Sequence, residues 1–354
     1  MRALGQAFTD NLAALLPRIT EKPHFLVGNH ESVCYQADGI LTSPLAPYLT
    51  LWATALWTEI PLKVRSLALN REGPALLRTA QGRELPASAS GSTRGYFGNL
   101  IPMPYPSYVH HYQGCDTCNL SVQAVAGLKH CDVFAAFELR KHFQPGPWSI
   151  REQLLEQCHA KPEQCAALSA KDAGSDSGIL DLIRGMEQSW FCLQPHGDTP
   201  SRKGVYDSLL LGCIPVVFDR YVLDTFPFAD VLDPSRLVAY VPRSVVNATN
   251  IVDHLNRRYP PKKRQAMLAH ILAVKHVFQW SLSSDPRPLR WDALDTASPH
   301  DDAFSMLLKR TVEGGCRRGL TGMRHCELLA AAVERGDVHS FLPLMRACAN
   351  LTPP

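Results

Sequence analysis

The sequence predicts an α/β protein in which a parallel sheet is covered by helices, and three observations carry that expectation. From residue 133 onward, short apolar runs alternate with helix-length segments, the pattern of repeated βα units. Residues 189–218, SWFCLQPHGDTPSRKGVYDSLLLGCIPVVF, read as an apolar strand, a Gly/Pro/Thr turn, a helix and a second apolar strand. The chain has 354 residues, 45% hydrophobic and 19% charged, enough for two globular domains with a sizeable core.

In order along the chain, residues 5–17 have amphipathic helical spacing and 25–29 form a short apolar strand. Residues 47–57 are predicted as a helix with Trp52 and Trp57 in the core, and 67–69 as a strand. The Gly/Ser/Ala-rich stretch 81–98 reads as loop. Then follow strand 133–138, helix 149–158, loop 169–178, helix 179–188, strand 190–194, helix 201–211, strand 214–218, strand 237–241, helix 248–257 and helix 261–280. The tail from 283 holds a Pro-rich linker, a helix at 301–312 and a cysteine-containing segment. These elements group as 1–130, 131–282 and 283–354.

A formal charge of +3 argues against a general nucleic-acid binder, and no Arg/Lys run alternates with aromatics to form a stacking platform. Lys262-Lys263-Arg264, after Pro260-Pro261, reads as a solvated helix start. No run reaches the roughly 18–20 apolar residues a membrane span needs, and Met1 opens an amphipathic segment rather than a signal sequence. Three sequons, at Asn119, Asn247 and Asn350, are compatible with a secretory lumen. The 11 cysteines permit disulfides, and their odd number leaves at least one outside an internal pair. Cys115 and Cys118 have redox or zinc spacing without a second half-site, which favours a disulfide or free thiols.

The turn at 195–202 is the clearest candidate site. Pro195 ends the strand, and Gly197 can take positive φ without steric cost. Thr199 is expected to cap the helix with Pro200 at its first position, so that the N–H groups of Ser201 to Lys203 point into the turn. Such a helix start attracts phosphate, and a bound anion would relieve the crowding of Arg202 and Lys203 at the positive end of the dipole. The alternative is a crossover whose two cations lie in solvent.

The same stretch resembles the signature of the exostosin-like glycosyltransferases. Met186 to Ser189, FCLQP, GDTPSRK, YDS and GCIPVVF cover most of that block, and Asp207-Ser208 is similar to the plant xyloglucan galactosyltransferase type, where exostosins themselves carry Glu first. HFLVG at 24–28, NLIPMPYPSY at 99–108, FAAFELR at 134–140 and SIREQLLEQC at 149–158 resemble further landmarks in family order. The family's glycine is missing from FAAFELR. The resemblance spans residues 24–280 and implies two Rossmann-like domains facing a cleft, the B-type glycosyltransferase architecture, with an incomplete N-terminal domain. It also implies a Golgi-lumenal protein whose longer form carries an N-terminal membrane anchor.

What the resemblance implies chemically is an inverting transferase that moves a sugar from a UDP-sugar donor to a polysaccharide or glycoprotein glycan. The protein must hold about two negative charges of the diphosphate, by metal or by fixed cations. The chain has no Asp-x-Asp clamp, so cations and the helix start are expected to serve, with no metal and no resident cofactor. Arg202 and the turn residues Gly197, Asp198, Thr199 and Ser201 are the expected diphosphate site, with Arg140 and Arg151 as second cations. Asp207 is the candidate for the ribose hydroxyls, against a local Lys203–Asp207 ion pair. An acceptor hydroxyl needs a base, expected from His30 or Glu31 after the FLVG strand. A rival expectation is a catalytically silent family member that scaffolds a glycosyltransferase partner subunit.

Overall fold

The computed structural model describes residues 24–28, 49–53, 77–78, 84–85, 100–107, 109–111, 120–139, 149–168, 176–196, 201–224, 226–229, 231–280, 302–307 and 310. The chain divides into two compact units, Met1–Met103 with Leu294–Pro354, and Pro104–Ala293.

In the first unit, β1 (His24–Gly28), β2 (Leu49–Ala53) and β5 (Leu100–Pro102) form a parallel sheet in the order β1-β2-β5. A separate antiparallel pair joins β3 (Leu77–Arg78) to β4 (Glu84–Leu85). The helix expected over 47–57 is therefore replaced in its middle by a strand. LTLWA reads either way by propensity, and parallel pairing with β1 on one side and β5 on the other decides it. The stretch 81–98, expected to be loop, contributes β4. The expected helix 5–17 and strand 67–69 lie outside the described residues.

The second unit is the α/β structure the sequence predicts. Its elements run α1 (Val122–Gly127), β6 (Cys131–Ala136), α2 (Ser149–His159), β7 (Cys165–Leu168), α3 (Asp176–Glu187), β8 (Ser189–Gln194), α4 (Lys203–Leu210), β9 (Ile214–Val217), α5 (Tyr221–Asp224), β10 (Ala239–Tyr240), α6 (Arg243–Ala248), α7 (Ile251–Arg258) and α8 (Pro261–Val274). The strands pair in parallel in the order β10-β9-β8-β6-β7. Numbered from β6, that order is 2-1-3-4-5, a doubly wound sheet whose direction of winding reverses between β6 and β8.

Burial explains why these strands are near-continuous apolar runs. All four residues of β9 are buried, and only Trp190 of β8 is partly exposed, as expected of central strands covered on both faces. Helix α3 lies so close to β6 that a Cβ on Gly185 would sit 2.3 Å from Phe134 Cε2. A disulfide between Cys192 and Cys213 fastens β8 to the start of β9, and a second between Cys158 and Cys165 fastens the end of α2 to β7. Among the described residues Cys131 is free.

Two other expectations shift, and one strand is added. The helix read over 248–257 starts at Ile251 and is separate from α6, which ends at Ala248, because Asn250 accepts a hydrogen bond from Val252 N–H and caps the new start. The helix read over 261–280 stops at Val274 and continues as a 3-10 turn, Lys275–Phe278. That turn delivers Gln279 to His111, where its amide oxygen accepts from the His111 N–H and its NH2 donates to the His111 carbonyl. Strand β7, whose CAAL sequence carries almost no β signal, is set by pairing with β6.

Candidate functional site

The carboxyl ends of β6 and β8 flank the point where strand order reverses, the place where open α/β sheets bind ligands. Arg151, in the first turn of α2 and 6% exposed, ties these ends together. Its Nη1 donates to the carbonyl of Glu138 beyond β6, and its Nη2 to the carbonyl of His196 beyond β8, each at 2.8 Å. One guanidinium thus fixes the spacing of the two strand exits, a task its rigid fork suits and a lysine's point charge does not.

Arg202 sits in extended backbone (φ −151°, ψ 158°) as the N-cap of α4, and its Nη1 donates to the carbonyl of Pro195 at 3.0 Å. This corrects the expectation that Thr199 caps the helix and Pro200 occupies its first position: the helix begins at Lys203. The buried Ser201 hydroxyl shares a hydrogen bond with Tyr206 at 3.3 Å. The leading backbone N–H groups of α4 are those of Lys203 and Gly204.

Helix α4 is locked against β8. Gln194, the last residue of β8, donates from Nε2 to Ser208 Oγ at 3.0 Å, and the Ser208 hydroxyl donates to the Gly204 carbonyl at 2.6 Å. A Cβ on Gly204 would run into Gln194 Oε1, so any side chain there would have to displace the Gln194 amide that bonds Ser208. The Cys192–Cys213 bridge closes the span that carries the turn and α4.

Asp207 lies one turn into α4, 5% exposed, with both oxygens engaged. Lys203 Nζ donates to Oδ2 at 2.6 Å, and the Ser107 hydroxyl donates to Oδ1 at 2.5 Å. Ser107 is itself held by the Val109 N–H at 2.9 Å. The i,i+4 pair weighed from sequence is therefore present, and its charge is buried against a serine from a segment one hundred residues earlier. Behind it, Tyr206 packs among Tyr105, Phe226 and Phe278, and burial pushes its hydroxyl well above the usual phenol range.

At the other end of α4, toward the start of β9, His111 donates from Nε2 to the carbonyl of Leu210 at 2.8 Å. Burial, and next the charge of Lys275, push its pKa down to about 4. At the start of β8, at the opposite end of the sheet from the site, Lys129 donates to the carbonyl of Glu187 at 2.7 Å, and its burial lowers it to about 7.

Of the residues singled out from sequence, the structure brings Arg151, Ser201, Arg202 and Asp207 to one end of the sheet. Arg140, Gly197, Asp198, Thr199, His30 and Glu31 lie outside the described residues, as do Cys115 and Cys118. Sequence reasoning passed over Ser107 and Gln194. Both stand inside family-like motifs, IPMPYPSY and FCLQP, but neither carries a local pattern that announces its partner.

Residues 76–255 match the exostosin GT47 domain. The chain belongs to the exostosin GT47 family. The family match takes in the whole strand–turn–helix site, from Glu138 and Arg151 to Asp207. Relatives of this exostosin chain in Arabidopsis thaliana include xyloglucan-specific galacturonosyltransferase 1, 40% identical over 126 residues, which are 35% of this chain and 18% of that protein. A probable xyloglucan galactosyltransferase, GT13, is 42% identical over 121 residues, 34% of this chain and 25% of that protein. The xyloglucan galactosyltransferase MUR3 is 26% identical over 232 residues, 61% of this chain and 35% of that protein. The chain thus spans between about a sixth and about a third of the length of these relatives.

Proposed function

We propose that this exostosin family member is a glycosyltransferase that passes a sugar from a UDP-sugar to a glycan of the cell-wall xyloglucan class or a related polysaccharide or glycoprotein, with inversion at the anomeric carbon. The observation that carries the reading is the convergence of Arg151 and Arg202 on the carbonyls beyond β6 and β8, beside the start of α4, at the reversal of strand order. A diphosphate needs fixed positive charge and open N–H groups in a site whose geometry does not have to reorganise. Arg202, Ser201 and the 197–199 turn hold the diphosphate, with Arg140 and Arg151 as further cations and no metal required. Asp207 fixes Lys203 against the site and offers its remaining lone pairs toward the ribose.

His30 or Glu31 takes the acceptor proton as the new glycosidic bond forms and UDP leaves. In this reading the Pro104–Ala293 unit is the donor half of a B-type pair of Rossmann-like domains, and the longer protein is a Golgi type II membrane protein. The relatives' names support the substrate class, and the paired cysteines suit a lumenal compartment.

One observation favours a second reading, a catalytically silent partner of an active transferase: Arg151, Arg202 and Lys203 all donate to the protein's own oxygens. A panel of UDP-sugars tested by calorimetry and by slow donor hydrolysis separates the two. Arg202→Ala is expected to weaken donor binding by about 1.5–3 kcal/mol, roughly 10- to 150-fold. Unchanged donor affinity and turnover in that variant would reject the assignment, and no binding or hydrolysis of any UDP-sugar by the unmodified protein would favour the scaffold.

A further inference from the structure

We propose that Asn247 carries an N-linked glycan. It opens the sequon Asn247-Ala248-Thr249, and the fold leaves its side chain exposed near the end of α6. The corner around it is otherwise tied down. Val246, one residue earlier, is buried at 1% exposure, and its carbonyl accepts from Gln157 Nε2 of α2. Asn250 Nδ2 donates to the Gln157 carbonyl, and Ile251 N–H donates to Gln157 Oε1. Gln157 thus pins the α6–α7 corner to α2 from inside while Asn247 points outward.

Space beside it suits a carbohydrate. Asn247 borders an open basin of about 390 Å³ lined with Glu152, Gln153, Glu156 and Arg243, polar side chains that can meet a first sugar without displacing core. Thr249 follows in extended backbone (φ −144°, ψ 155°), so the sequon leaves the helix rather than continuing in it. Two disulfides among the described residues, Cys158–Cys165 and Cys192–Cys213, are an independent sign of an oxidising, secretory environment, the compartment in which such transfer occurs.

The step is a group transfer by the host's lumenal oligosaccharyl-transferring enzyme. The Asn247 amide nitrogen bonds to the anomeric carbon of a lipid-diphosphate oligosaccharide, the bond from that carbon to the diphosphate oxygen breaks, the amide gives up one proton, and the lipid diphosphate leaves. The inference rests on the lumenal placement proposed above and not on the transferase activity.

The test is expression of the full chain behind a cleavable secretion leader in a eukaryotic host, followed by peptide mapping. Treatment with peptide-N-glycosidase in heavy-oxygen water is expected to convert Asn247 to a labelled Asp. Asn247→Gln and Thr249→Ala should each remove one glycan from the secreted protein, and Thr249→Ser should keep it. A secreted, disulfide-bonded protein whose Asn247 peptide is wholly unmodified would overturn the proposal and leave the donor-site reading untouched, because the readout involves no nucleotide sugar.

Discussion

Replacing Arg151 by Met tests whether the strand-order reversal is held open by a side chain rather than by the sheet alone. The substitution keeps an unbranched stem of similar bulk and deletes the two donors to the carbonyls of Glu138 and His196. A hydrogen bond to a charged group contributes about 1.5–3 kcal/mol when its loss leaves the partner buried. Glu138 is exposed and His196 half-buried, so water can meet both carbonyls in part, and the combined loss falls to about 1.5–3 kcal/mol rather than twice that. For a unit the size of Pro104–Ala293, each kcal/mol moves Tm by about 2–4 °C, which puts the expected drop near 3–12 °C.

Urea denaturation followed by far-UV circular dichroism measures the free energy directly. Arg151→Lys discriminates further, because an ammonium keeps the charge but has no planar fork to span both carbonyls. Stability that recovers only partly in the Lys variant supports the clamp. A Met variant within about 0.5 kcal/mol of the parent would refute the reasoning, since that is the scatter expected of a surface residue with no structural task.

Two further perturbations address the two ends of α4. Ser107→Ala removes the hydroxyl that donates to the buried Asp207 carboxylate, and is expected to cost about 1.5–3 kcal/mol in urea unfolding; a loss below about 0.5 kcal/mol would show that the bond carries no weight. His111 links stability to pH. Its pKa is about 4 in the fold and near 6.5 in the unfolded chain, so the unfolded state binds the proton first, and stability present above pH 6.5 is lost as pH falls toward 4. The loss from this group alone is roughly 3 kcal/mol, and His111→Gln should flatten the acid limb of a stability-against-pH curve. An unchanged limb would assign acid sensitivity elsewhere.

Much of the second unit was legible because its signals are local. Apolar runs read at 133–138, 190–194 and 214–218, separated by helix-length stretches, announce βα units without reference to any neighbour. Legibility failed where the deciding interaction is distant. LTLWA becomes a strand because two other strands flank it, and CAAL because β6 does. The start of α4 lies at Lys203 rather than Pro200, with Arg202 as its N-cap bonded to the Pro195 carbonyl, a contact that no propensity encodes.

By itself the sequence determined the α/β class, the strand–helix–strand order of 189–218 and the family block that contains it, because each rests on residues within one or two turns of chain. Only the tertiary structure decided what the charges do. Asp207 meets Ser107 across one hundred residues, Arg151 joins two strand exits, and Gln194 fits against Gly204, because packing brings distant segments within hydrogen-bonding reach. Burial gives those contacts their weight: a carboxylate removed from water must find donors wherever the fold places them.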